Sequence, residues 1–155
     1  MNSKRNAGFT LIELLVVVLI VGILASIAVP QYFKVVEKAR VSEAMSLASA
    51  IKSAQERYLA GGGTYGTDFT KLDISYPNMN SSIITLKYFS ASLAQSSGSG
   101  NSPGYKLTLA RHTGGGSVAP RYGLYTITID VPNNPIPTIG TCGGGDITIC
   151  SELVN

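Results

Sequence analysis

The chain is poor in the side chains that catalytic sites draw on. Its 155 residues include one histidine, two cysteines and no tryptophan, and only 14% are charged. Its serines lack a nucleophile-elbow pattern. The Gly-Gly-Gly runs at 61–63, 114–116 and 143–145 are not followed by the Lys-Ser or Lys-Thr of a phosphate loop, so they read as turns. His112 stands close to the second run and reads as a solvated loop residue, not a base. Asp68 and Asp73 flank a turn, while Asp130 and Asp146 lie far apart in the chain. Zinc would have only His112 to add to the cysteines. No catalytic residue, cofactor or metal site is therefore expected.

Charge excess is scarce too. The formal net charge is +3, but Lys4 and Arg5 supply two of the twelve basic residues, and without them ten face nine acidic ones. That balance disfavours a nucleic-acid partner and any strong pull toward an acidic membrane surface. Arg111, His112 and Arg121 suggest a small basic strip, yet a few charges on a near-neutral domain are more often solvated surface. The length suits one domain with appendages and one modest core.

What is present is concentrated at one end. Residues 1–8 are polar and basic. From Phe9 to Val29, a run of 21 residues, the only ionisable side chain is Glu13. At about 1.5 Å per residue such a helix is about 31 Å long, which matches a bilayer core. Lys4 and Arg5 would stay on the cytoplasmic side. Two ordinary readings are a secretory signal cut among the small residues from Ala25 to Ala28, and a signal anchor on an unrelated exported domain. Neither explains a carboxylate in the apolar run, which costs about 2.5–3.5 kcal/mol at the membrane centre and less near a helix end.

The order Gly8-Phe9-Thr10-Leu11-Ile12-Glu13 follows Lys4-Arg5. It leads through Leu14 to Ile20 into Gly22-Ile23-Leu24-Ala25-Ser26-Ile27-Ala28-Val29-Pro30. This third of the chain resembles the class III signal of type IV pilins and type II secretion pseudopilins. The resemblance implies that a prepilin peptidase cleaves between Gly8 and Phe9 and methylates the new amino terminus of Phe9. It gives Glu13, fifth residue of the mature chain, a set role in assembly, and it lets the segment from Gly22 to Pro30 lose helical order in a filament. The physical chemistry agrees. Cleavage removes the cations, keeps the apolar helix and leaves an α-ammonium one turn from Glu13. Paired, within a subunit or between neighbours, the two charges offset each other's desolvation and mark the axial register. Pro30 lacks an amide hydrogen and Gly22 has low helix propensity, so a fixed kink and a melting segment both stay open.

The resemblance implies a structural subunit of a type IV pilus, not an enzyme. Its partners would be copies of itself, the prepilin peptidase, the inner-membrane assembly machinery and, before assembly, the membrane. The precursor would lie in the bacterial inner membrane and the product in an extracellular pilus. The alternatives are a type II secretion pseudopilin in a periplasmic pseudopilus, a competence pilin that binds DNA, and a membrane-anchored binding module. Major pseudopilins bind calcium in a C-terminal loop, and a tail with only Asp146 and Glu152 is thin for that hard cation.

The expected fold is α+β, with a leader at 1–8, an apolar helix at 9–30, an amphipathic helix at 31–60 and a head at 61–155. Val41, Ala44, Met45, Ala48, Ile51, Gln55, Tyr58 and Leu59 recur at three- and four-residue steps, which predicts one packed face. The glycines at 61–63 then stop the helix. Gln55-Glu56-Arg57-Tyr58 followed by Gly63-Thr64-Tyr65 is similar to a junction common in pilins. Ser82–Ser90, Tyr105–Ala110 and Tyr125–Val131 read as strands of an antiparallel sheet covered by the helix. Gln95–Gly104 and Pro132–Pro137 read as loops. Cys142 and Cys150 enclose a loop of seven residues that includes three glycines. Export to an oxidising compartment would join them as a disulfide, and the alternative is two unpaired thiols.

Overall fold

The computed structural model describes residues 8–62, 64–97, 103–112, 122–131 and 134–139. One helix, α1 (Leu11–Gly62), is followed by a 3-10 turn (Phe69–Lys71) and five strands. These are β1 (Ile83–Thr85), β2 (Phe89–Ser97), β3 (Pro103–Arg111), β4 (Thr126–Val131) and β5 (Asn134–Ile139). Each strand pairs antiparallel with the next, in the order β1-β2-β3-β4-β5. The fold class is α+β, as the sequence predicts. The chain divides into two compact units, Met1–Lys38 and Ala39–Asn155.

In the first unit α1 runs unbroken through Gly22 and Pro30. Pro30 has no amide hydrogen to give the Ser26 carbonyl one turn earlier. The Ser26 hydroxyl donates to the Ile23 carbonyl at 2.7 Å, so this polar group is satisfied inside its own helix. A Cβ placed on Gly22 would meet nothing within 4 Å, so no contact of this chain demands glycine there.

In the second unit the later half of α1 covers the sheet. Val41, Ala44, Leu47, Ala48, Ile51 and Ala54 are buried with Ala91, Leu107, Leu109, Ile127 and Ile129. Three alanines in that set let the helix backbone sit close to the strands. The register explains the sheet's share. Ala91 pairs with Leu109, and Leu109 with Ile127, so one inward row crosses three strands. Leu93, Leu107 and Ile129 form the next row. Alternate residues such as Ser92, Lys106 and Thr108 fall on the other face. Full burial of a large aliphatic side chain stabilises by roughly 1.5–3 kcal/mol, and the buried aromatics Phe69, Phe89, Tyr105 and Tyr125 add to these rows.

The structure corrects four boundaries. Ser82–Ser90 is not one strand: the Leu86 amide donates to the Phe89 carbonyl at 2.8 Å and closes a turn between β1 and β2. The turn carries no Gly, Pro or Asn, so its residues do not advertise it. The ends of Gln95–Gly104 are strand, because β2 runs to Ser97 and β3 begins at Pro103. Pro132–Pro137 overlaps β5, whose outer side pairs with no strand among the described residues and so tolerates Pro135 and Pro137. Finally, α1 begins at Leu11 and ends at Gly62, not at Phe9 and Ala60. Of the predicted face of α1, Val41, Ala44, Ala48, Ile51 and Gln55 are buried, Met45, Tyr58 and Leu59 are half-buried, and Leu47 and Ala54 join them.

Candidate assembly site

Every side chain from Phe9 to Val29 is exposed, with Phe9 at 83% and Leu11 at 88%. Among the described residues α1 is the one helix long and apolar enough to cross a membrane. An apolar surface this long is not left to water in a finished assembly. Its single carboxylate, Glu13, is not loose. Thr10 precedes the helix, and Glu13 stands three residues on. The Thr10 amide donates to Glu13 Oε2 at 3.0 Å, and the Thr10 hydroxyl donates to the same oxygen at 2.9 Å. In return the Glu13 amide donates to Thr10 Oγ1 at 3.3 Å. This reciprocal pattern is a capping box, which satisfies amides that the first turn leaves without partners. Gly8 and Phe9 lie just ahead of it, both exposed, and a Cβ on Gly8 would meet nothing within 4 Å. The structure thus places Gly8, Phe9 and Glu13 within one short stretch. Thr10 was passed over in the sequence, although Thr-x-x-Glu ahead of an apolar run is a recognised helix start.

The junction after α1 is the best-tied loop of the second unit. Gln55 is fully buried; its Nε2 donates to the Gly66 carbonyl at 2.6 Å, and its Oε1 accepts from the Gly66 amide at 2.8 Å. A Cβ on Gly66 would lie 3.3 Å from Leu72 Cδ2 and 3.4 Å from Tyr58 Cε1, so any larger residue there would press on both side chains. Arg57 holds Asp73 through two hydrogen bonds, Nε to Oδ2 at 2.5 Å and Nη2 to Oδ1 at 2.7 Å. Those bonds hold the Asp73 carboxyl below its ordinary value and raise the Arg57 guanidinium. Asp68 caps the 3-10 turn by accepting from the Thr70 amide and hydroxyl, which lowers its carboxyl as well. Tyr65 stacks edge-on against Tyr105 at 5.0 Å between centroids. Burial first, then the Glu56 charge, pushes the Tyr105 hydroxyl up to about 12.

Arg111 and His112, expected as solvated surface, are instead drawn into the fold. Arg111 is 5% exposed, and its Nη1 donates to the carbonyls of Tyr88 at 3.1 Å and His112 at 2.5 Å. Its guanidinium also stacks on Tyr88 and Phe89. His112 is half-buried, with Nε2 3.1 Å from the Leu86 carbonyl, so it is not a solvated loop residue. Both hold the β1–β2 turn against the end of β3. Arg121, Asp146, Glu152, Cys142 and Cys150 lie outside the described residues, and the expected disulfide with them. Among the described residues no group of three His, Cys, Asp or Glu side chains is placed to hold a metal ion.

Comparison with known proteins agrees with this geometry. Residues 3–29 match the family model of the prokaryotic N-terminal methylation motif. A fimbrial protein of Pseudomonas aeruginosa is 44% identical over 73 residues, which is 47% of each chain. The type IV major pilin protein PilE of Neisseria gonorrhoeae is 43% identical over 88 residues, 57% of this chain and 50% of that one. A fimbrial protein of Neisseria meningitidis serogroup A is 37% identical over 124 residues, 76% of this chain and 72% of its own. The chain belongs to the type IV pilin family. It spans about half the length of the first two of these relatives. No solved structure matches.

Proposed function

We propose that the chain is a structural subunit of a type IV pilus, cleaved after Gly8, N-methylated at Phe9 and polymerised through the apolar start of α1. The observation that carries this is the 21-residue run from Phe9 to Val29, wholly exposed, with one carboxylate at its head. In the inner membrane, lipid covers that surface. In a filament, the same helices from neighbouring copies cover it. Lipid tails and leucines are equally apolar, so the exchange gains little from hydrophobicity and depends on packing and on polar contacts. Glu13 supplies the polar contact, because the amine freed at Phe9 is its natural counter-charge. Specificity of register is the better-attested use of such buried pairs. The segment between Gly22 and Pro30, where the Ser26 carbonyl has lost its usual donor, is the place where the helix would yield under tension. The names of the relatives favour a pilus over a secretion pseudopilus. The role assigned is structural, not enzymatic.

Mass spectrometry of membranes and of sheared filaments tests the reading. The expected result is a mature chain that starts at methylated Phe9 and is abundant in the sheared fraction. A chain that keeps residues 1–8, or is cut among Ala25 to Ala28, overturns it.

A further inference from the structure

The role given to Glu13 rests on the assembly reading above, and the capping box adds to it. We propose that Thr10 is the positioning residue for the Glu13 carboxylate. Both bonds that reach the carboxylate from Thr10 land on Oε2, at 3.0 Å from the amide and 2.9 Å from the hydroxyl. Oε1 lies outside the box. Scission between Gly8 and Phe9 breaks neither bond, since the Phe9–Thr10 peptide survives it. The box therefore spans both states of the subunit. Before cleavage it supplies two donors to a carboxylate that must sit at the edge of an apolar run, which lowers the desolvation cost. After cleavage it keeps one oxygen turned to the helix end and leaves the other for the new ammonium, its own or a neighbour's. A carboxylate held in one rotamer loses less side-chain entropy when the second partner arrives.

The test is competitive incorporation. The full-length chain and a variant are co-expressed in a pilus-assembling cell. Mass spectrometry then gives the ratio of the two chains in sheared filaments, normalised to the mature forms in the membrane. The variants are Thr10→Val, which removes only the hydroxyl, Thr10→Ser, which keeps it, Glu13→Val, and Glu13→Val with Thr10→Val. Thr10→Val should be incorporated about tenfold less than wild type, the order of effect of losing a hydrogen bond to a charged group. Thr10→Ser should stay within twofold of wild type. Adding Thr10→Val to Glu13→Val should cost no more than about fivefold, because only the cap on the residue-13 amide is left to lose. If Thr10→Val is incorporated like wild type while Glu13→Val is excluded, the positioning role is overturned and the register role stands. Equal losses in Thr10→Val and Thr10→Ser, or an equal loss from Thr10→Val in the Glu13→Val background, also overturn it. If Glu13→Val is incorporated normally, the register reading fails and the Thr10 proposal fails with it.

Discussion

The two units of this chain handle apolar residues in opposite ways. In the first, the leucines, isoleucines and valines from Leu11 to Val29 are all exposed among the described residues. In the second, Ile51, Leu107, Leu109 and Ile127 are sealed at 1% exposure or less, and three of the six buried apolar residues on the covering helix face are alanines. One unit is closed on itself. The other is the surface that the proposed assembly would cover. Substitutions of the same chemistry should therefore be read out in different places.

The largest effect is expected at the centre of the sheet. Leu109→Ala should cost about 2–5 kcal/mol, because it leaves a cavity at a site packed on both neighbouring strands. Thermal unfolding of the detergent-solubilised full chain measures this. Leu19→Ala, the same truncation on the exposed helix, should shift that transition by less than about 0.5 kcal/mol. Equal shifts from the two substitutions would erase the contrast between the units. Next comes Gln55→Ala, which leaves the buried Gly66 amide and carbonyl without their partner. Its cost should be about 1–3 kcal/mol in the same assay. An unchanged transition would show that the loop after α1 holds without that clasp.

The smallest effect belongs to the Arg57–Asp73 pair, whose members are both more than half exposed. Asp73 titrates below its ordinary value because Arg57 binds its charged form. A carboxyl depressed in the folded state adds stability above its unfolded pKa of about 3.9, and that contribution is lost as pH falls through the folded value. Arg57→Gln should move the Asp73 carbon resonance midpoint up toward the ordinary value and leave stability at neutral pH nearly unchanged. A midpoint that stays depressed would assign the shift to another neighbour.

Legibility in the sequence follows the same division. The first unit is nearly transparent, because a membrane-length apolar run interrupted by one acid admits few explanations. Its one omission is Thr10, whose capping role is local and visible in four consecutive residues. In the second unit the helix face and two strands are plain from periodicity. The turn at Leu86–Tyr88 is hidden because it is held by tertiary contacts from Arg111 and His112, not by turn-forming residues. Those two residues were misread for the same reason. A cation over an aromatic ring, or a ring nitrogen on a distant carbonyl, leaves no trace in the spacing of neighbours. β5 was missed because proline argues against a strand unless the strand is known to be outermost.

That outermost position has a further consequence. Pro135 and Pro137 carry no amide hydrogen, and the opposite border of the sheet, β1, is three residues long. Among the described residues the sheet therefore has no long, fully hydrogen-bonding margin on which to graft a neighbour's strand. In the proposed filament, heads would meet through side chains, and contacts of that kind can part without unravelling either molecule.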